Sequence, residues 1–273
     1  MDGLPDRVAL GTMHGKERAI APPLAELGIR IERAVIDTDR FGTFSGDVLR
    51  SGNMLEAARA KARAAAEATG LSVALASEGA YGPHPYIPFL PLGRELLLWL
   101  DTRTGREIVE VLTDDQPCYD QQRIDDAALV CGFVSRIGFP TTAAIVQTSS
   151  AAPPIAKGII DREALDAAVA AALAATGSAL VQTDMRAHMN PRRMKVIGDL
   201  ARRLAGRLST LCPACAAAGF GFLRSLPGLK CCDCGTETGL IAADVHGCTA
   251  CGHTDSHPRV AKADPANCPF CNP

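Results

Sequence analysis

Apolar residues along this chain come in short runs, and the spacing of each run decides the element it predicts. Arg7–Gly11 and Ile29–Ile36 are brief and apolar, as buried strands are, and they flank a helical stretch from Lys16 to Leu27 that Gly28 closes. Met54–Thr69 has helical spacing, with Leu55, Ala58, Ala62, Ala65 and Ala66 on one side, Asn53 placed as N-cap and Gly70 as stop. Val73–Ala76 predicts a strand, and Glu95–Asp101 with Glu107–Leu112 predicts a hairpin turning at Thr104-Gly105. Ile124–Ile137 predicts a helix and Ala143–Gln147 a strand. A further helix lies between a capping Asp161 and Gly177, and Ala179–Gln182 follows as a strand. Asn190-Pro191, a cap followed by proline at the first helical position, opens a last helix to Leu208 whose apolar face is Met194, Ile197, Ala201, Leu204 and Leu208. Short strands interspersed with helices predict an α/β body built on a mixed sheet.

That patterning ends near residue 207, and composition changes at the same place. Of the 11 cysteines only Cys118 and Cys131 precede residue 212; Cys212, Cys215, Cys231, Cys232, Cys234, Cys248, Cys251, Cys268 and Cys271 crowd the tail. We therefore expect two domains, residues 1–207 and 208–273. Over the whole chain 47% of residues are apolar and 21% charged, enough to bury a core and too apolar for general disorder. No uncharged apolar run approaches the roughly 18 residues of a membrane span, and the first residues lack a basic-then-apolar leader. A net charge of −2 argues against coating nucleic acid or anionic membrane. These features predict a cytoplasmic protein with no membrane partner, and they leave room for a homodimer.

The tail cysteines form four Cys-x-x-Cys pairs, Cys212/Cys215, Cys231/Cys234, Cys248/Cys251 and Cys268/Cys271. Each pair presents two thiolates from one turn, and two pairs complete the four-thiolate shell of a structural zinc ion, so two Zn2+ are expected in a double zinc ribbon. Sequential pairing, first pair with second and third with fourth, is the expectation; a nested arrangement stays open. Cys232 is spare, and His246, His253 and His257 are not needed as ligands. Four basic residues face five acidic ones over 208–273, and eight thiolates around two Zn2+ bring the total to about −5. Such a tail repels a phosphate backbone, so nucleic acid is not its expected partner.

Three segments of the body carry chemistry. Gly11-Thr12-Met13-His14-Gly15-Lys16-Glu17 is a small-residue turn between strand and helix, where backbone N–H groups and a lysine can hold phosphate through Thr12, His14 and Lys16. Glu56 and Lys61 lie on the long helix, and Ser77-Glu78-Gly79 ends the strand after it; carboxylates there suit Mg2+ bound together with substrate phosphates. Thr183–Arg193 gathers Asp184, Arg186, His188 and Arg192 before a helix whose stretch 186–207 holds seven basic residues against Asp199.

The order of these segments resembles the house-cleaning pyrophosphatases that hydrolyse inosine and xanthosine triphosphates. Their opening strand–turn–helix is similar to Val8–Leu27, their Glu-Asn-Ala-x-x-Lys-Ala helix to Glu56-Ala57-Ala58-Arg59-Ala60-Lys61-Ala62, and their late Ser-His-Arg segment to Asn190-Pro191-Arg192. The family's Asp-Asp-Ser-Gly is Ala76-Ser77-Glu78-Gly79 here, and no base specificity carries over. The resemblance implies a nucleotide-pyrophosphatase-like body hydrolysing a nucleotide or related phosphate compound. Lys16, Lys61, Arg186 and Arg192 would hold phosphate, Glu56 and Glu78 a Mg2+ ion, and Asp184 or His188 would move protons. Gly11–Glu17, Ser77–Pro85, Thr183–Pro191 and the final Cys-Asn-Pro also resemble a bacterial family known only as a domain of unknown function, which implies the same two-part architecture and no activity. The competing expectations are a non-catalytic nucleotide-binding or protein-interaction module, and RNA or DNA binding through 186–207.

Overall fold

A computed structural model of the chain describes residues 3–38 and 52–273. It separates into two compact units, one formed by Pro5–Leu204 and the other built around Ala205–Pro273.

The first unit carries two sheets. In the larger, β1 (Arg7–Gly11) is parallel to both β2 (Arg30–Arg33) and β3 (Val73–Pro83), and β4 (Pro91–Asp101) and β5 (Arg106–Asp114) continue it antiparallel, in the order β2-β1-β3-β4-β5. This is the expected mixed sheet. α1 (Glu17–Ala25) links β1 to β2, and α2 (Met54–Thr69) precedes β3. The α2 ends are those its sequence predicts: the Asn53 side chain accepts from Leu55 and Glu56 N–H, Glu56 reaches back to Asn53 N–H, and Gly70 stops the helix at φ +70°. Alanines at Ala58, Ala62 and Ala65 let α2 lie close on the sheet, where Ala9, Ala74, Ala76, Leu96 and Leu98 complete a dry layer.

The smaller sheet is antiparallel, in the order β6-β9-β7-β8: β6 is Gln121–Ile124, β7 Ala144–Gln147, β8 Ala156–Ile159 and β9 Ala179–Thr183. α3 (Val130–Ile137) and α4 (Arg162–Thr176) bury Phe133, Ile137, Leu165 and Val169 with Val146 and Val181. Here the sequence expectation is corrected. The helix predicted over 124–137 begins only at Val130, because Gln121–Ile124 pairs with β9 as an edge strand, and Asp126 caps a short 3-10 turn between them. A polar edge strand carries little hydrophobic alternation to betray it. Two other strands differ in length: β3 runs to Pro83 rather than Ala76, and β2 stops at Arg33. α5 (Pro191–Ser209) starts where predicted, with Asn190 Oδ1 accepting from Arg193 N–H at 3.0 Å.

The second unit has three strands, β10 (Gly221–Pro227), β11 (Ile241–Gly247) and β12 (Thr254–Pro258), paired antiparallel in that order.

Candidate functional site

Strand alternation puts Ala76 and Leu96 on the α2 face of the large sheet and leaves Ser77, Gly79 and Tyr81 of β3, with Glu95 of β4, on the other. All three chemical segments of the sequence meet there. Lys16, at the N-terminus of α1, donates from Nζ to Ser77 O at 3.1 Å and Ser77 Oγ at 3.4 Å. Arg193, in the first turn of α5, is 1% exposed and donates from Nε to Glu95 Oε1 at 2.6 Å. A second guanidinium nitrogen donates to Met185 O, and the guanidinium lies over the Tyr81 ring, 5.4 Å from its centre. Tyr81 donates its hydroxyl to the same Glu95 Oε1 at 2.7 Å. Gly79 makes this packing feasible: a Cβ there would lie 2.6 Å from both Arg193 and Glu95. The glycine thus admits a buried ion pair of the chain itself.

On the helix side, Lys61 Nζ lies 2.5 Å from Glu78 Oε1. In this cluster Lys61 faces Glu78 and Arg193 faces Glu95, while the hydrogen bonds of Lys16 go to neutral oxygens. Burial pushes the Lys16 amine down to about 8, the charge of Arg193 adds to this, and Glu95 and Glu78 oppose it.

Beside the cluster a cavity of about 580 Å³ opens, lined by Met13, His14 and Arg18 of the turn and α1, Arg33 of β2, and His188 and Met194. Gly15, at φ +68°, turns the chain so that His14 stacks on His188, ring centres 5.3 Å apart. Burial, and then the positive charge of Arg186, holds His188 below the usual imidazole range.

Other expected site residues are placed differently. Glu56 is exposed and its carboxylate closes the α2 capping box, so it is committed to the helix start. Asp184 is fully buried, 2.6 Å from Arg186, and accepts from Gly158 N–H, which fixes β8 to the loop after β9. Arg192 is 2.7 Å from Asp114. Thr12 accepts from His14 N–H at 3.4 Å within the turn. Among the described residues, the groups of three or more ligand atoms gathered closely enough to share an ion are cysteine sets of the tail, and none lies in the body. In the body, Glu78 is 2.5 Å from Lys61 and Glu56 is held in the α2 cap.

In the tail, Cys212, Cys215, Cys248 and Cys251 form one tetrad, and Cys231, Cys234, Cys268 and Cys271 the other, with all sulfurs of a set within 4.8 Å. Sulfur separations of 3.8 Å (Cys212–Cys251), 3.7 Å (Cys215–Cys248), 3.9 Å (Cys231–Cys271) and 3.6 Å (Cys234–Cys268) fit a thiolate tetrahedron. Its edge is about 3.8 Å when metal–sulfur bonds are about 2.3 Å, against about 2.05 Å for a disulfide. Each pair closes the same turn, an N–H bonding back four residues: Ala216 to Cys212, Gly235 to Cys231, Gly252 to Cys248 and Asn272 to Cys268. The Thr236 hydroxyl and backbone N–H hold the Cys234 thiol down to about 6. Each tetrad can hold one metal ion. Cys232 belongs to neither, as expected.

The pairing is crossed, first with third and second with fourth, which corrects the sequential expectation. The strands explain it. β10 and β11 are 7 residues each, about 23 Å long, and each carries the chain from one end of the sheet to the other. Gly221 pairs with Gly247 and Gly247 with Thr254, so the first and third knuckles share one end; Pro227 pairs with Ile241 at the opposite end, beside the second.

Residues 61–273 match the family described as Domain of unknown function (DUF6671). The chain belongs to this family. The DUF6671 span includes Lys61, Glu78, Glu95, His188, Arg193 and both tetrads, while the turn bearing Lys16 precedes it. No curated protein and no solved structure matches the chain, so the likeness to the triphosphate pyrophosphatases stands on its sequence segments alone. Sequence reasoning missed Glu95, Tyr81 and Arg193. The available signal was a charge opening the apolar run Leu96–Leu100, and an arginine doublet in the first turn of a capped helix.

Proposed function

We propose that the first unit captures a phosphate-bearing small molecule of the nucleotide class at the β1–α1 turn, and that the tail is a structural module holding two zinc ions. One observation carries the first part. Lys16 is a buried cation whose hydrogen bonds go to the neutral oxygens of Ser77, and its chain neighbours Gly15 and Glu17 line a cavity together with Arg18 and Arg33. A ligand oxyanion supplies the missing charge, and the Arg18 side chain adds to its hold. The sulfur spacing of the tetrads supports zinc in the tail.

Thermal melting against phosphate, pyrophosphate and nucleoside mono-, di- and triphosphates tests the capture. Several of these ligands should raise Tm for wild type and none for Lys16→Met; no shift with any of them at pH 6.5 rejects it. Metal analysis should return two zinc ions per chain.

A second reading, hydrolysis of the captured ester, is supported by the stacked His14–His188 pair lining the same cavity. An imidazole held below its usual range is neutral at pH 7 and can take a proton from water. Turnover lost in His188→Gln with capture retained supports it. Capture without turnover across the panel leaves a binding module.

A further inference from the structure

We propose that oxyanion capture at Lys16 is coupled to proton uptake, so that the site takes up its ligand and a proton together. This deepens the capture reading above and rests on it.

The geometry carries the inference. Lys16 is 8% exposed, and its amine hydrogen-bonds to Ser77 O and Ser77 Oγ, acceptors that serve an ammonium and also tolerate a neutral amine. The charged groups around it come from four elements: Arg193 from α5, Glu95 from β4, Glu78 from β3 and Lys61 from α2. The two carboxylates are already engaged, Glu95 by Arg193 and Glu78 by Lys61. Without ligand, a charged Lys16 makes three cations against two anions in a buried cluster, an imbalance that disfavours the ammonium. Burial first, and then the charge of Arg193, bring the amine down to about 8, against Glu95 and Glu78. An oxyanion beside it reverses the balance and restores the ammonium. No bond to the ligand is made or broken; the proton comes from solvent and stays on Lys16 Nζ while the anion is bound.

The test uses sulfate, which does not titrate in this range, with inorganic phosphate as the second probe. Binding enthalpies are measured at pH 8.5 in buffers of different ionisation heat. An amine at about 8 is roughly three-quarters neutral at that pH, so about 0.7 proton should be taken up per sulfate bound. At pH 6.5 the amine is already charged and uptake should be near zero. Above pH 8 sulfate affinity should fall, approaching tenfold per pH unit. In Lys16→Arg the charge is permanent, so binding should persist without uptake.

Sulfate binding with no buffer dependence at pH 8.5 overturns the coupling and leaves the capture reading intact. Uptake that survives in Lys16→Arg also overturns it, by assigning the proton to His14 or His188. No sulfate or phosphate binding at pH 6.5 rejects the anion site itself.

Discussion

At the scale of single residues, buried ions bind elements of the first unit together, Lys16 of the α1 start to Ser77 of β3 and Arg193 of α5 to Glu95 of β4. Gly79 leaves no room for a side chain, since a Cβ there meets the Arg193–Glu95 pair. We expect Gly79→Ala to lower unfolding free energy by about 2 kcal/mol in urea titration, an overpacking cost, and to loosen the anion site. Lys16 gives a pH dependence of definite sign. Its amine titrates near 8 folded and near 10.5 unfolded, so between those values the unfolded chain binds more protons and stability rises with pH. Lys16→Met should flatten that rise and be more stable than wild type below pH 8, while losing the anion. Ala216, at φ +58°, sits in the left-handed region that favours glycine; its counterparts Gly235 and Gly252 are glycines at +77° and +76°. Ala216→Gly should stabilise the tail by about 0.5 kcal/mol in chelator-free melts. Lys16, His188 and the eight tetrad cysteines stand out in the sequence, because those residue types sit in turns with recognisable spacing. The sequence concealed Glu95 and Arg193, whose meaning arises only when two strands and a helix meet. At Glu56 the carboxylate at the third helical position accepts from Asn53 N–H and serves the cap.

At the scale of elements, capping and spacing were sound guides to α2, α4 and α5, whose ends are marked by Asn53, Asp161, Asn190, Gly70 and Gly177. The strands of the smaller sheet were harder. β6 is polar and β8 is short, and neither alternates enough to stand apart from loop. The crossed tetrads offer a direct test at this scale. Two cysteines of one tetrad should be strongly non-additive: Cys215→Ser with Cys251→Ser should release no more metal than either alone, whereas Cys215→Ser with Cys234→Ser should release both ions. Sequential pairing predicts the reverse, and metal content by atomic absorption distinguishes the two. The clue to crossing was present in the residues between knuckles, where Ile241–Gly247 forms a strand long enough to separate its two ends. Spacing between cysteines alone does not report that separation.

At the scale of the whole molecule, the boundary in composition near residue 207 lies close to the division of contacts at Leu204/Ala205. The first unit has apolar cores of its own, whereas the described core of the second centres on Cys212, Phe220 and Cys248. A strong chelator should therefore erase the β-structure of the tail and leave the helical signal of Pro5–Leu204, giving two separate losses when far-UV circular dichroism is followed against chelator and then heat. Among the described residues no helix is long and apolar enough to cross a membrane. The crossing of the tetrads also sets a schedule. A chain emerging from its N-terminus could close a sequentially paired site once Cys234 appeared, but here the first site waits for Cys251 and the second for Cys271. Cys212, Cys215, Cys231, Cys234 and Cys248 have all emerged before either tetrad can be completed, so neither can close around an ion until most of the tail is out.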